Sequence, residues 1–498
     1  MTKTLSPIDL AVVLAYLLGV TGLGCWFYRR NQNSDKFMSA GRSLPGWAVG
    51  LSIFGSYVSS ISFLANPGKS FADNWNAFVF ALPFPLSVWV AIRWFVPFYR
   101  RSREVSAYAH LEKRFGPWAR NYAVACYLLT QIARLGTILY LLALALVPLT
   151  GWSIQIIIVG VGCVIVTYPL LGGTEAVIWI GVVQALVLIG GALVCAGTLL
   201  YGMPEGPGQI FYLAAAHHKF SLGSLAPSLS SPTIWVMLLF GFVGNLQSFA
   251  VEQGYVQRYL TARSDRAAAR SLWFAALLYI PISGAFFFIG TALYAFYQAR
   301  PGLLPATLDA ANHPDAVLPY YISQQLPAGL AGLVIAGLCA AAMDSNLNAM
   351  ATLFLRDIYL RHLRPASTER QAMRALRISS FAFGALSMIA ALAMIRIRSA
   401  LDAWWTLAAL FGGGLLGLFL LGYISPRADN RSAKFGVGAG ILVMAWMTVS
   451  PRWSWIPPGL RSPFHPFLVT VVGTVTILGV GLAAACRSPV RASPDHAA

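Results

Sequence analysis

Residues 55–69, GSYVSSISFLANPGK, set Ser56, Ser59, Ser60 and Ser62 beside the helix breakers Gly55, Pro67 and Gly68 inside an otherwise apolar run. A helix that only anchored a protein would gain nothing from hydroxyls next to a breaking end. In hydrocarbon, loosened backbone is tolerated only where protein buries it or a watery cavity meets it. The stretch therefore predicts a broken transmembrane helix that holds a solute, and the rest of the chain should supply the partners such a site needs.

Composition agrees. Of 498 residues, 57% are hydrophobic and 10% charged, against about 25% charged in a soluble domain, and mean hydropathy is +0.66. This excludes a soluble domain with a single anchor and leaves an integral membrane protein with many spans. The net charge of +18 reads as a topology signal, since Lys and Arg collect on cytoplasmic loops; a nucleic-acid partner is not indicated. Cys25, Cys126, Cys163, Cys195, Cys339 and Cys486 lack paired spacing and read as core thiols.

Apolar runs of about 20 residues, enough to cross the hydrocarbon, are expected at 8–27, 45–65, 76–98, 121–147, 154–171, 176–201, 233–250, 271–296, 328–355, 379–395, 404–424, 435–449 and 467–485. That is an all-α polytopic protein of about thirteen spans. With the N-terminus outside, basic residues favour the inner loops by roughly three to one, which places the C-terminus in the cytoplasm. The first run lacks a basic start and a small-residue cleavage site, so it reads as a span, not a removed signal.

Three features within the spans resist a packing explanation. Arg134 in LLTQIARLGTILYL lies far from a run end; a guanidinium at that depth costs at least about 2.5 kcal/mol and usually marks a substrate path or ion pair. Its fork suits a carboxylate. At 240–247, FGFVGNLQ carries Gly241, Gly244 and Asn245, read as a second broken segment in the second half of the chain. Two interrupted helices in corresponding halves are the sequence sign of an inverted-repeat transporter with a midplane site. At 340–352, AAAMDSNLNAMAT crowds Asp344, Ser345, Asn346 and Asn348 after small residues. A carboxylate there is paired, holds a cation, or sits wet near a helix end. Thr174 and Glu175 after LLGG read as a helix start, with Thr174 the cap.

These residues carry a resemblance. SAGRSLPGWAVGLSIF, SSISF, PGK, SAYAHLEKRF, IARLGTILYL, LLGGTEAVIWIGVVQ, EQGYVQRYL, GLAGLVIAGLCAAAM and LNAMATLFLRDIY follow one another as in the sodium:solute symporter family, and the chain most resembles its sialic acid transporter branch. The resemblance implies the leucine-transporter fold: an extra helix at 8–27, five-helix inverted repeats at 45–201 and 233–424, and two C-terminal helices at 435–485. It implies sodium-driven import by alternating access through the cell (plasma or inner) membrane. It places Ser59, Ser60, Ser62, Arg134, Asn245 and Tyr57 around the solute. Sodium would be held by the carbonyls of Gly55, Val58 and Ala341, joined here by Asp344 and Ser345.

The chain departs from the family at several of these points. Two sodium-ligating hydroxyls expected after the AAAM segment are missing, in an apparent deletion of three residues, about 300° of helix rotation and about 4.5 Å of rise. Gly181 and Gly254 stand where relatives carry aspartate, Tyr57 where they carry a small hydroxyl residue, and Ala81 where the sialic acid branch has glutamine. Asp344 is the candidate to replace the lost carboxylate. An uncoupled facilitator, a proton-coupled variant or a non-transporting sensor remain open alternatives. An enzyme is not indicated: the histidines lie in or near loops without metal-ligand spacing, and no nucleophile or phosphate-binding motif appears.

Overall fold

The computed structural model describes residues 6–28, 40–102, 104–305, 308, 310, 313–342, 346–395, 400–451, 453 and 456–486. Nearly all of these are helical. In chain order the principal helices are α1 (Pro7–Tyr28), α2 (Gly46–Tyr57), α3 (Ile61–Ala72), α4 (Trp75–Ser102), α5 (Ala109–Phe115), α6 (Pro117–Thr150), α7 (Ile154–Tyr201) and α8 (Gly208–Ala216). The second half holds α9 (Ile234–Val251), α10 (Gln253–Leu260), α11 (Asp265–Ala299), α12 (Val317–Gln325), α13 (Leu330–Ala342), α14 (Asn346–Leu353, extended by Phe354–Leu363), α15 (Glu369–Met394), α16 (Ala400–Gly412), α17 (Leu415–Ile424), α18 (Asn430–Val449) and α19 (Val469–Ala485).

Among the described residues, 10 helical segments are long and apolar enough to cross a membrane, and α2 with α3, bent by 58°, make up to 11. Two shorter apolar helices, Ile154–Val166 and Leu330–Ala340, fall within two more of the expected runs. Many large side chains, such as Leu18, Leu193, Ile389 and Leu442, point outward uncovered, as expected where lipid replaces water.

Glycines set the close crossings, because lipid gives no hydrophobic drive between helices and backbone approach must supply the contact. Along α11, Ala267 and Ser271 back onto Gly46 and Gly50 of α2, while Gly290 backs onto Pro67 of α3; a Cβ on Gly290 would lie 2.1 Å from the Pro67 carbonyl oxygen. One continuous helix thus splints both halves of the broken one. The Pro67–Gly68 pair does not break the chain, contrary to the sequence reading: α3 runs through it, and Gly68 instead lets Asp315 approach. The first helix is tied down by Asp9, whose Oδ1 accepts from the amides of Gly329 and Gly332, both at 2.7 Å. A carboxylate on one helix thereby caps the positive end of another.

Thr174 is not a helix start. It lies within α7, fully buried, and its hydroxyl accepts from Asn348 at 2.7 Å and Gln257 at 3.2 Å. Asn348 and Gln257 on neighbouring helices engage its hydroxyl, which therefore serves helix packing and not a cap.

Candidate functional site

The first helix pair breaks at Val58 (φ −84°, ψ 102°), extended between α2 and α3. Ser59 follows, and its Oγ accepts from the Ile61 amide at 3.2 Å, capping the restart as a helix-opening serine does. At the break the Ser56 carbonyl accepts from other helices, with the Tyr255 hydroxyl 3.5 Å away. Arg134 of α6 donates to it from Nη2 at 2.8 Å.

The second break is at Glu252 (φ −83°, ψ 118°), between α9 and α10. Its backbone nearly duplicates that of Val58. Here the freed Ala250 carbonyl accepts from the Tyr99 hydroxyl at 2.8 Å. The sequence expectation of a break at 240–247 is therefore corrected. Residues 240–247 are continuous helix, and the glycines there serve packing: a Cβ on Gly241 would meet the Phe80 carbonyl oxygen at 2.4 Å.

Between the two joints, α6, α11 and α16 close a cavity of about 230 Å³. Tyr57, Ser59, Ser62, Arg134 and Glu252 line it. It adjoins a wider vestibule of about 920 Å³, and Lys69, Ala77, Phe240, Trp405 and Ala409 line both. A small concave site with aromatic walls and a few convergent polar groups is the ordinary form of a ligand pocket. Ser60 and Asn245 are not on its surface. Ser60 is fully buried and donates to the Ile138 carbonyl at 3.2 Å. Asn245, also fully buried, accepts from the Tyr57 hydroxyl and donates to the Phe80 carbonyl at 3.2 Å. It holds Tyr57 in place, and that ring packs edge-on against Phe84 and Tyr279, each at 4.9 Å. Tyr57 thus joins the end of α2 to α9.

A polar chain runs through the site. Arg134 Nη1 lies 3.7 Å from Glu252 Oε1. Glu252 accepts from Gln131, and Gln131 accepts from Asn346 of α14 at 2.7 Å. Gly254 makes room for this, since a Cβ there would meet Asn346 Oδ1 at 2.4 Å. The sequence reading passed over Glu252 and Gln131. The signal was present: AVEQGY puts a carboxylate at the end of an apolar run, the placement that singled out Arg134.

Gly55 and Val58 sit at the first joint, both buried. Gly55 packs on Gly181 of α7, whose Cβ would lie 2.5 Å from Ser52 Oγ. The backbones of α2 and α7 touch where an aspartate would need space. Ala341 belongs to α13, while Asp344 and Ser345 lie outside the described residues. Among the described residues, no group of three or more His, Cys, Asp and Glu is placed to hold a metal ion; a sodium site built of carbonyls and hydroxyls would not take that form.

Residues 37–440 match the sodium:solute symporter family. The chain belongs to that family. It is 32% identical over 481 residues to the sodium/sialic acid symporter SiaT of Proteus mirabilis (strain HI4320), covering 95% of this chain and 94% of that one. It is 30% identical over 486 residues to the sodium/sialic acid symporter NanT of Aliivibrio fischeri (strain ATCC 700601 / ES114), covering 96% and 93%. The solved substrate-bound outward-open state of a Na+-coupled sialic acid symporter superposes with a TM-score of 0.89 at 30% identity, over 98% of this chain and 99% of that one. The inward-facing conformation of Mhp1 superposes with a TM-score of 0.53 at 15% identity, over 92% and 94%, a likeness of fold alone. This sodium:solute symporter is thus a multi-pass membrane transporter of the leucine-transporter fold, a sodium-coupled solute importer and not an enzyme.

Proposed function

We propose that this symporter imports a small polar solute bearing a carboxylate, sugar- or organic-acid-like, by alternating access across the cell inner membrane. Arg134 is the observation that carries the reading. Its guanidinium is buried at membrane depth, yet it lines the cavity at the joint of the broken helix. Ser59, Ser62 and Tyr57 offer hydroxyls to the rest of the solute, while Ser60 and Asn245 fix the backbone and the Tyr57 ring around it. The similarity to sialic acid symporters supports a carboxylated sugar. Tyr57 and Ala81, both lining the cavity, differ from that branch and favour a solute other than sialic acid itself.

Following the family pattern, sodium is assigned to the carbonyls of Gly55, Val58 and Ala341, with Asp344 and Ser345 as its further candidate ligands. A hard cation suits such oxygen ligands. The paired joints at Val58 and Glu252 support repeats at 45–201 and 233–424, flanked by the helix at 8–27 and the pair at 435–485. The loop charges support an outside N-terminus and a cytoplasmic C-terminus.

The test is uptake into proteoliposomes of a panel of sugar acids and organic acids, with and without an inward sodium gradient. Accumulation that requires sodium and is lost in Asp344→Asn supports the assignment. Gradient-independent equilibration would identify a facilitator, and accumulation driven by a pH gradient alone a proton-coupled variant.

A further inference from the structure

The cavity holds both members of an ion pair. Three of the described residues lining it are charged: Lys69, Arg134 and Glu252. Lys69 at the mouth is bridged to Asp73 at 2.7 Å, one helical turn away. Deeper in, Arg134 faces Glu252 at 3.7 Å, and both side chains are largely buried. Opposite charges are therefore matched at the mouth and at depth.

This matters for what can bind. A monoanion docking on Arg134 must share the guanidinium with Glu252, like charge beside like charge, or push Glu252 off and leave a carboxylate without its counter-charge at membrane depth. Both are costly for charges as largely buried as these. A solute that carries an ammonium beside its carboxylate meets neither penalty. Laid antiparallel to the Arg134–Glu252 pair, its carboxylate faces the guanidinium and its ammonium faces Glu252, so every charge keeps a partner. Tyr57 and Tyr255, with ring centroids 5.7 Å apart and both lining the cavity, add aromatic surface that a cation favours.

We propose that the cavity selects zwitterionic solutes, with a carboxylate beside an amino group, and that Glu252 is the residue that reads the ammonium. This rests on the carboxylate reading of Arg134. Gln131, donating to Glu252 and accepting from Asn346, positions the carboxylate for that task.

The test is calorimetric binding to the purified full-length protein in sodium buffer, with two matched pairs: alanine against lactate, and 2-amino-2-deoxygluconate against gluconate. Sialic acid serves as a further monoanion. The pairs separate amino acids from amino sugar acids as the source of the zwitterion. In at least one pair the amino member is expected to bind about tenfold or more tighter. Glu252→Gln should abolish that preference, Glu252→Asp should keep it, and Arg134→Ala should lose both members. Size-exclusion profiles confirm that each variant is folded. Monoanions binding as tightly as the amino members in an Arg134-dependent way would overturn the inference and leave the carboxylate reading standing. A preference that survives in Glu252→Gln would also overturn it. Binding of none of the five would overturn both.

Discussion

Gly254→Ala is expected to damage the site without touching a solute-facing residue. The new Cβ would lie 2.4 Å from Asn346 Oδ1 and 3.2 Å from the Tyr127 hydroxyl. Asn346 is buried, and its amide donates to Gln131, which in turn donates to Glu252. To escape the methyl, the Asn346 amide must rotate, and that breaks its bond to Gln131. A broken buried hydrogen bond that leaves its partners unsatisfied costs about 1–3 kcal/mol, while replacing a helical glycine with alanine returns up to about 1 kcal/mol. The net expectation is a loss of about 1–2 kcal/mol, seen as a melting midpoint a few degrees lower in detergent, together with weaker solute binding because Gln131 no longer steadies Glu252. In Asn346→Ala the clash disappears, so adding Gly254→Ala to that background should cost little or stabilise. The double-mutant cycle isolates the pair. Additive losses, or a Gly254→Ala protein as stable and as tight-binding as wild type, would refute the chain from Asn346 to Glu252.

Gly290→Ala should destabilise by about 1–3 kcal/mol, because the group it meets is the Pro67 carbonyl, which cannot move without shifting α3; a thermal-shift comparison with Gly302→Ala, where nothing lies within 4 Å, is the control. Asp9→Ala should cost about 1–2 kcal/mol, since two amides at the start of α13 lose their acceptor; guided proteolysis near α1 reads the loosening. His110 on α5 has its pKa pushed from 6.5 down to about 4, chiefly by burial and then by the Arg114 charge. The unfolded imidazole therefore takes up its proton near pH 6.5 while the folded one resists until about pH 4, so this contribution to stability is lost as pH falls through that window. Between pH 7.5 and 5 the loss is about 2 kcal/mol, and His110→Gln should flatten that part of the melting-temperature profile.

Much of the fold was legible in the chain because lipid simplifies the reading: long apolar runs mark helices, and departures within them mark the site. The hydroxyls of 55–69 announced the first joint, though the break falls at Val58 and not at Pro67. Within α3 a π-helical turn at Ile61–Ala65 gives way to an α-helical stretch at Asn66–Ala72, and Pro67 sits in the first turn of that stretch, where a missing amide costs least. The second joint was misplaced for a related reason. Glycine in a membrane helix serves close packing as readily as breaking, and Gly241 does the former against Phe80. Only the path of the surrounding helices separates the two uses, and that is a long-range fact. Glu252 could have been found by the depth argument applied to Arg134, but a carboxylate at the edge of a run also resembles an ordinary helix end. Ser60 and Asn245 show the remaining difficulty: polar type predicted their neighbourhood, while helix phase decided that they support the cavity wall and do not face the solute.

In the proposed function the buried Arg134 at the first joint holds the solute's carboxylate, and sodium drives its entry. The decisive experiment is radiolabelled uptake into proteoliposomes of the carboxylated solute that binds most tightly, for wild type and Arg134→Ala under an imposed sodium gradient. Sodium-dependent accumulation is expected in wild type, with its loss in Arg134→Ala and no comparable loss for the solute's neutral amide. Equal uptake by the two proteins, or accumulation indifferent to sodium, would contradict it.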